Sequence, residues 1–330
     1  MCAKRQIISR ESVNLKVPQR IKENKKRKGT TMEQLLVDTD WNKEWIRSQT
    51  SRKRFDNSSN WDARAANFST RDKKSDYAAH FIELAGLREG ESVFDMGCGN
   101  GALAIPLAEE GHPVLAADFS SGMLSVLEDG ARAKGLSGLI TTKLMSWDDN
   151  WQEAGIEPKS IDVCFASRSI ATLDLKASLE KLSQVARRKV CITLSTGASP
   201  RTDESILHEL GIDAPVGRDY WYAINILIQM GIKPELRYIE SRRADSYDSM
   251  QEAYENYAKM VDDMEFFAGE AAVNSAKERL ATWLEDELIE NPMCGMPEED
   301  ISNPSSCANQ KAYKLKTPRV VRWAFINWNV

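Results

Sequence analysis

Between an apolar run and a helix-forming one the chain carries VFDMGCGNGALAIPLA, residues 93–108, with Gly97, Gly99 and Gly101 on alternate positions and Asp95 two places ahead. A glycine-rich turn that leaves a strand and opens a helix brings backbone close to a nucleotide, because each missing Cβ clears room for direct contact. Gly97, Gly99 and Ala102 fit the G-x-G-x-x-G/A spacing that seats a dinucleotide pyrophosphate on a helix N-terminus. Asp95 argues against a pyrophosphate, since an anion at the strand end repels it and suits a ligand bearing positive charge. A second acid, Asp118, closes the next apolar run 21 positions after Gly97. Two plainer roles stay open: Asp95 as a helix N-cap and Asp118 as an Asx-turn after a strand.

The elements needed to position these acids are legible as alternating periods. Strand-like runs at 92–96, 114–117, 140–144, 161–166 and 189–194 alternate with helical stripes at 102–110, 123–134 and 175–187, the last capped by Asp174. That alternation predicts a parallel sheet with helices on both faces. Further on, Asp219 to Met230 reads as an apolar helix and PELRYIE (234–240) as a sixth strand. Ser249 with Glu252 forms a capping box, and Leu280, Trp283, Leu284 and Leu288 stripe a second helix, so the pair predicts a helical hairpin. Ahead of the sheet, Trp41, Trp45 and Trp61 punctuate a polar stretch expected to fold as short helices over the main domain. The expected organisation is a basic arm at 1–40, a catalytic domain at 41–243, a helical insertion and loop at 244–312, and a final strand at 313–330.

A ligand with positive charge and no phosphate is S-adenosylmethionine, which carries an α-ammonium and a sulfonium. VFDMGCGNG resembles motif I of the class I S-adenosylmethionine-dependent methyltransferases, and further matches follow in that family's order. Asp118 resembles the acid that accepts hydrogen bonds from both ribose hydroxyls. SWDD (146–149) follows the third strand, where the family recognises the adenine edge, and IDVCFASRS (161–169) resembles motif IV, whose end faces the methionine moiety and the acceptor. The resemblance covers about residues 61–243 plus the last strand. It implies a seven-stranded Rossmann-like sheet in which a final antiparallel strand inserts beside the fifth. It also implies a cofactor site formed by Asp95, Gly97, Cys98, Gly99, Asn100 and Gly101 in the loop, Asp118, Phe119, Ser120 and Met123 after the second strand, Trp147 and Asp148 after the third, and Ser167 at the end of the fourth. Only one of Asp148 and Asp149 need point inward, and Cys98 reads as a small packing residue rather than a nucleophile.

Methyl transfer from a sulfonium is an in-line displacement at an already activated carbon, so alignment and exclusion of water dominate and no single catalytic side chain is named. On the acceptor side, Ser167, Arg168 and Ser169 would face the methyl group's far side, and a buried Arg168 would favour a carboxylate or phosphate. Tyr220, Trp221 and Asn225 stand near the expected cleft, with core packing as their alternative role. Trp61 and Arg64 are placed to close over the cofactor, Arg64 pairing with its carboxylate.

Composition narrows the acceptor. The net charge of −5 combines a basic arm, residues 1–30 at +8, with −13 on the remaining 300 residues. An acidic body disfavours a broad nucleic-acid surface, leaving RNA or protein docking through the arm KENKKRKG (22–29) as the alternative to a small-molecule acceptor. A protein that binds the cofactor without catalysis is the third reading. No Asn/Asp-Pro-Pro-aromatic motif follows the fourth strand, which disfavours methylation of a base's exocyclic amine. Six scattered cysteines without a Cys-x-x-Cys, and three histidines, give no metal site and read as reduced thiols in the cytoplasm. No apolar run reaches membrane-spanning length. Met32 is a possible biological start.

Overall fold

A computed structural model of the chain describes residues 38–51, 58–65, 76–213, 217–243, 245–295 and 311–330. Two compact units divide the chain, Met1–Asp40 and Trp41–Val330, and both sheets belong to the second. The basic arm, the Met32 start and most of the 291–312 loop lie outside the described residues.

Helices α1 (Trp41–Ser51), α2 (Ser58–Ala65) and α3 (Asp76–Ala85) lead into β1 (Val93–Met96) and α4 (Ala104–Glu109). Then come β2 (Val114–Asp118), α5 (Ser121–Ala133), β3 (Ile140–Leu144), β4 (Ile161–Ser167), α6 (Leu175–Val185) and β5 (Ala186–Ser195). These are followed by α7 (Glu204–Glu209), α8 (Asp219–Gln229), β6 (Glu235–Arg243), β7 (Ser246–Tyr247), α9 (Met250–Asp262), α10 (Glu265–Ala268) and α11 (Glu270–Glu287). The chain closes with β8 (Leu288–Glu290), β9 (Tyr313–Leu315) and β10 (Arg319–Asn329). The main sheet has the order β3-β2-β1-β4-β5-β10-β6. Strands β1 to β5 are parallel, and β10 runs antiparallel between β5 and β6, with Trp323 opposite Ser195 on one side and Ile239 on the other. This is the seven-stranded Rossmann-like arrangement that the resemblance implies.

Strand alternation divides the core into two faces. Phe94, Met96, Cys164, Ala166, Ile192, Leu194, Ala324 and Ile326 meet α1, α6 and α8 on one face. Val93, Val114, Ala116, Phe165, Cys191 and Phe325 meet α3, α4 and α5 on the other. Phe81 of α3 anchors that second face, fully buried and edge-on to Phe165 and Phe325 at 4.9 and 5.1 Å. Burying a side chain of this size contributes about 1.5–3 kcal/mol. Trp45 of α1 does the same opposite, with its indole N–H bonded to the Thr172 carbonyl at 2.8 Å.

The stretch from residue 313 divides in two. Tyr313–Leu315 pairs with Ser246–Tyr247 and Leu288–Glu290 in a separate three-stranded sheet, and only Arg319–Asn329 joins the main one. Pro318, which has no N–H to offer a ladder, stands between them. The small sheet, α7, α9 and α11 share a core of their own built on Leu207, Tyr257, Val261, Leu280 and Leu284. Ser249 caps α9 by accepting from the Glu252 N–H at 3.1 Å. The Glu252 carboxylate closes onto the Asp248 N–H at 2.7 Å, one residue earlier than a capping box requires.

Arg319, at the start of β10, ties this module to the main sheet. Its side chain is 5% exposed and donates to Asp203 Oδ2 (3.0 Å), Asp245 Oδ2 (3.1 Å) and the Ser199 carbonyl (2.8 Å). Strands β5 and β6 are parallel to each other, because both oppose β10. The segments that build the module therefore leave the sheet at its carboxyl end, the end that carries the glycine loop.

Candidate active site

On the α3 side of the sheet, each strand's apolar row ends at the carboxyl edge in a polar or amphipathic residue. Val93 is followed by Asp95, Ala116 by Asp118, Phe165 by Ser167, Cys191 by Thr193, and β10 begins its row there with Trp323. Period-2 alternation alone puts these side chains on one face. The sequence thus builds a polar patch at the point where the parallel strands stop.

The glycines of the loop differ in what surrounds them. A Cβ on Gly97 would lie 2.3 Å from the Ser169 Cβ, and one on Gly101 would lie 2.2 Å from Leu127 Cδ1. At these two positions the close approach is made by the protein's own side chains. Gly99 alone of the three faces open space, and with φ +55° it needs glycine for its backbone and leaves a cradle for a ligand.

Asp95 and Asp118 flank this loop. Asp118 Oδ2 accepts from the Gly99 N–H and Oδ1 from the Ser120 N–H, both at 2.9 Å, so the Asx-turn is present. A carboxylate offers about four lone-pair sites, so these backbone bonds leave capacity for a further donor. Burial pushes the Asp118 carboxyl above its ordinary value, against the pull of its backbone donors. Asp95 is fully buried, and its Oδ1 has no hydrogen-bond partner among the described residues. Burial, and then the like charge of Asp118, push its carboxyl up to about 7, opposed by the Arg168 cation. A buried carboxyl oxygen without a donor is a site for one. Burial and these two acids also hold the Cys98 thiol well above its usual range, so it stays protonated and serves as lining. Asn100 is half-buried in the same loop.

After β2, Ser120 caps α5 through the Met123 N–H at 3.1 Å, and Met123 is buried behind it, while Phe119 is half-buried. Ser120 also donates to Asp62 Oδ1 at 2.6 Å, and that same oxygen accepts from the Gly122 N–H at 2.9 Å. These two donors hold the Asp62 carboxyl below its ordinary value. Asp62, next to Trp61 in the chain, is not among the site residues legible in the sequence, and it fastens α2 to the loop after β2. Trp61 is half-buried on that helix, and the Arg64 side chain lies outside the described residues.

After β3, the Asp149 carboxylate accepts from the Ser146 N–H at 2.7 Å and closes the turn, and Asp148 and Asp149 are both exposed, so neither points inward. Trp147 stacks beside Trp151 at 5.4 Å, and its carbonyl accepts from Lys181 Nζ.

At the end of β4, Tyr77 Oη lies 2.8 Å from Ser167 Oγ and 2.7 Å from Thr193 Oγ1. Arg168 is exposed rather than buried, with φ +58°, and its Cζ stands 4.2 Å above the Tyr77 ring centroid. Ser169 Oγ donates to the Met96 carbonyl at 2.6 Å, bracing β4 against β1. On α8, Tyr220 packs edge-on against Trp221 and Tyr238, and the Asn225 amide donates to the Trp221 carbonyl of its own helix. That helix lies on the opposite face from Asp95 and Ser167. Tyr77 and Thr193 were legible only as core positions. Among the described residues no group of three or more His, Cys, Asp or Glu could hold a metal ion, and no helix is long and apolar enough to cross a membrane.

Residues 93–189 match a family described as a methyltransferase domain. An uncharacterized protein of Haemophilus influenzae is 32% identical over 272 residues, which cover 82% of this chain and 88% of that one. The chain belongs to the class I S-adenosylmethionine-dependent methyltransferases. Among solved structures, the YcgJ protein of Bacillus subtilis aligns at 11% identity and TM-score 0.44, covering 77% of this methyltransferase and 97% of that chain. A SAM-dependent methyltransferase of Aquifex aeolicus aligns at 18% identity and TM-score 0.41, covering 58% and 93%.

The methyltransferase's cofactor is S-adenosylmethionine. Two features of the loop fit it: the donorless buried Oδ1 of Asp95, which suits an ammonium, and the open cradle over Gly99.

Proposed function

We propose that this methyltransferase acts on a small molecule that enters at the end of β4, between α3 and the helical module on the carboxyl side of β5 and β6. The cofactor supplies an activated methyl group. Asp95 is assigned to its ammonium, Asp118 to the ribose hydroxyls, Gly99 to close backbone approach, and Trp147 to the adenine. Ser167 and Arg168 stand at the acceptor side, and Asp62 holds α2 over the ribose edge. The chain's part is to orient two reactants and exclude water; no general base is assigned.

The observation that supports a small acceptor is the buried Arg319–Asp203–Asp245 cluster, which fixes a module with a hydrophobic core of its own to the rim of the sheet instead of leaving an open surface there. The acidic body adds to it, since a polyanion is repelled from such a surface. Incubation of the full chain with methyl-labelled cofactor and a metabolite extract tests the reading. Label is expected in low-molecular-weight products. Label confined to RNA or protein, and lost when residues 1–30 are removed, would replace this reading with docking through the basic arm.

A further inference from the structure

We propose that the methyl acceptor carries an oxyanion, a carboxylate or a phosphate, held by the Arg168 guanidinium together with the Ser167 hydroxyl. This rests on the reading of the β4 end as the acceptor side of a small-molecule methyltransferase.

The first support is the state of Arg168. Its guanidinium is held over aromatic rings, with Cζ 4.2 Å from the Tyr77 ring centroid and 5.9 Å from that of Trp323. This cation–π contact fixes where the guanidinium sits without a hydrogen bond from its side chain to any of the described residues. No carboxylate of the described residues lies within ion-pair distance of it, and its main-chain N–H is satisfied separately by Thr193 Oγ1 at 3.0 Å. Arg168 also sits in the left-handed region at φ +58°, a conformation uncommon for a residue with a Cβ. A guanidinium held over a ring, with no partner for its side-chain donors among the described residues, presents a fork that matches a carboxylate or a phosphate.

The second support is the direction of a hydroxyl chain. Thr193 is fully buried, and its oxygen already accepts from the Arg168 N–H. Its own hydrogen has one acceptor within reach among the described residues, the Tyr77 oxygen at 2.7 Å. Tyr77, having accepted there, donates onward to Ser167 Oγ at 2.8 Å. Ser167 is then left with its hydrogen for a partner outside the chain. The opposite direction would strand a hydroxyl hydrogen of Thr193 in the core, which is the costly arrangement. The β4 end therefore presents two donors in contact with Tyr77, Arg168 over its ring and Ser167 at its hydroxyl, one of them cationic. Such a pair reads an oxyanion and rejects a cation.

The test uses the full chain, S-adenosylhomocysteine titrated by calorimetry, and transfer of labelled methyl groups to a metabolite extract resolved by anion exchange. Wild-type label is expected in the anionic pool, and phosphatase treatment of that pool separates phosphate from carboxylate. Arg168→Gly suits the left-handed backbone, so its melting temperature should hold, while label transfer falls about ten- to hundredfold. Its affinity for S-adenosylhomocysteine should stay within about threefold of wild type. Ser167→Ala should give a smaller loss, and Arg168→Lys a partial recovery over glycine. If Arg168→Gly loses S-adenosylhomocysteine affinity in step with transfer, Arg168 reads the cofactor's carboxylate and the proposal is overturned. If label enters a neutral pool equally in wild type and variant, the oxyanion is wrong while methyl transfer stands. Absence of S-adenosylhomocysteine binding in wild type would remove the underlying reading with it.

Discussion

Asp62 and Ser120, 58 residues apart in the chain, share a hydrogen bond of 2.6 Å that fastens α2 onto the loop leaving β2. Ser120 in turn donates its N–H to Asp118, and Asp118 accepts from Gly99, so the position of α2 is linked to the glycine loop through two carboxylates.

Removing that latch should loosen the cofactor and leave the core intact. For Asp62→Ala the apparent affinity for S-adenosylmethionine is expected to fall about fivefold, with turnover at saturating cofactor within about twofold of wild type. The donors from Ser120 and Gly122 hold the Asp62 carboxyl below its ordinary value, so the latch is charged above pH 5 and is lost only as pH falls through that lowered value. Steady-state kinetics from pH 5.5 to 8 should therefore show no titration that disappears in Asp62→Ala.

Asp95 carries the opposite sign. Its carboxyl stands at about 7 in the fold, against about 3.9 in an unfolded chain. The folded state holds the proton more tightly, so this group's contribution to stability is fully present below pH 4 and declines as pH rises to about 7. Denaturation at two pH values checks this: Asp95→Asn should stabilise the free protein at pH 8 and change little at pH 5. Cofactor binding runs the other way, because an ammonium favours the ionised form. Affinity is expected to be on the order of tenfold weaker at pH 5.5 than at pH 7, and that dependence should vanish in Asp95→Asn.

Two glycines two residues apart should fail differently. Gly97→Ala drives a Cβ to 2.3 Å from that of Ser169 and forces φ +77° on an alanine, so misfolding or a large drop in melting temperature is expected. Gly99→Ala meets nothing within 4 Å, and only its φ +55° is unfavourable, a cost of about 1–2 kcal/mol. It should fold and yet bind the cofactor poorly. Thermal melts set beside calorimetry separate the two.

Arg319 holds two buried acids. Arg319→Met leaves Asp203 without its cation and Asp245 with Arg243 alone, and urea unfolding should report a loss of about 3–5 kcal/mol. The small sheet and α9 should lose hydrogen-exchange protection ahead of β1 to β5, since their own core is joined to the main sheet at this cluster.

Much of this arrangement is written locally. The alternating apolar rows of β1 to β5 and the spacing of Asp95 and Asp118 around three glycines give the sheet, its polarity and the two acids without any long-range information. The separate sheet is not written that way: Ser246–Tyr247, Leu288–Glu290 and Tyr313–Leu315 are two or three residues long, too short for a period, and meet only through pairings across the module. Asp62 was invisible for a similar reason, as one acid in a polar helix whose partner lies 58 residues away. The crowding at Gly97 and Gly101 depends on Ser169 and Leu127, which no local window around the loop contains. Tyr77 lies with Phe81 on the buried face of α3, where its residue type alone reads as core, and only the register of β4 against β5 reveals that its hydroxyl joins Ser167 to Thr193.

The central claim is that Asp95 and Asp118 grip a cationic sulfur nucleoside across one loop. Calorimetric titration of wild type and Asp118→Asn with S-adenosylmethionine, beside a nicotinamide dinucleotide, tests it most directly. One site is expected in wild type, about a hundredfold weaker in Asp118→Asn, with no heat from the dinucleotide. Equal binding by both proteins, or a clean isotherm for the dinucleotide where S-adenosylmethionine gives none, would contradict it.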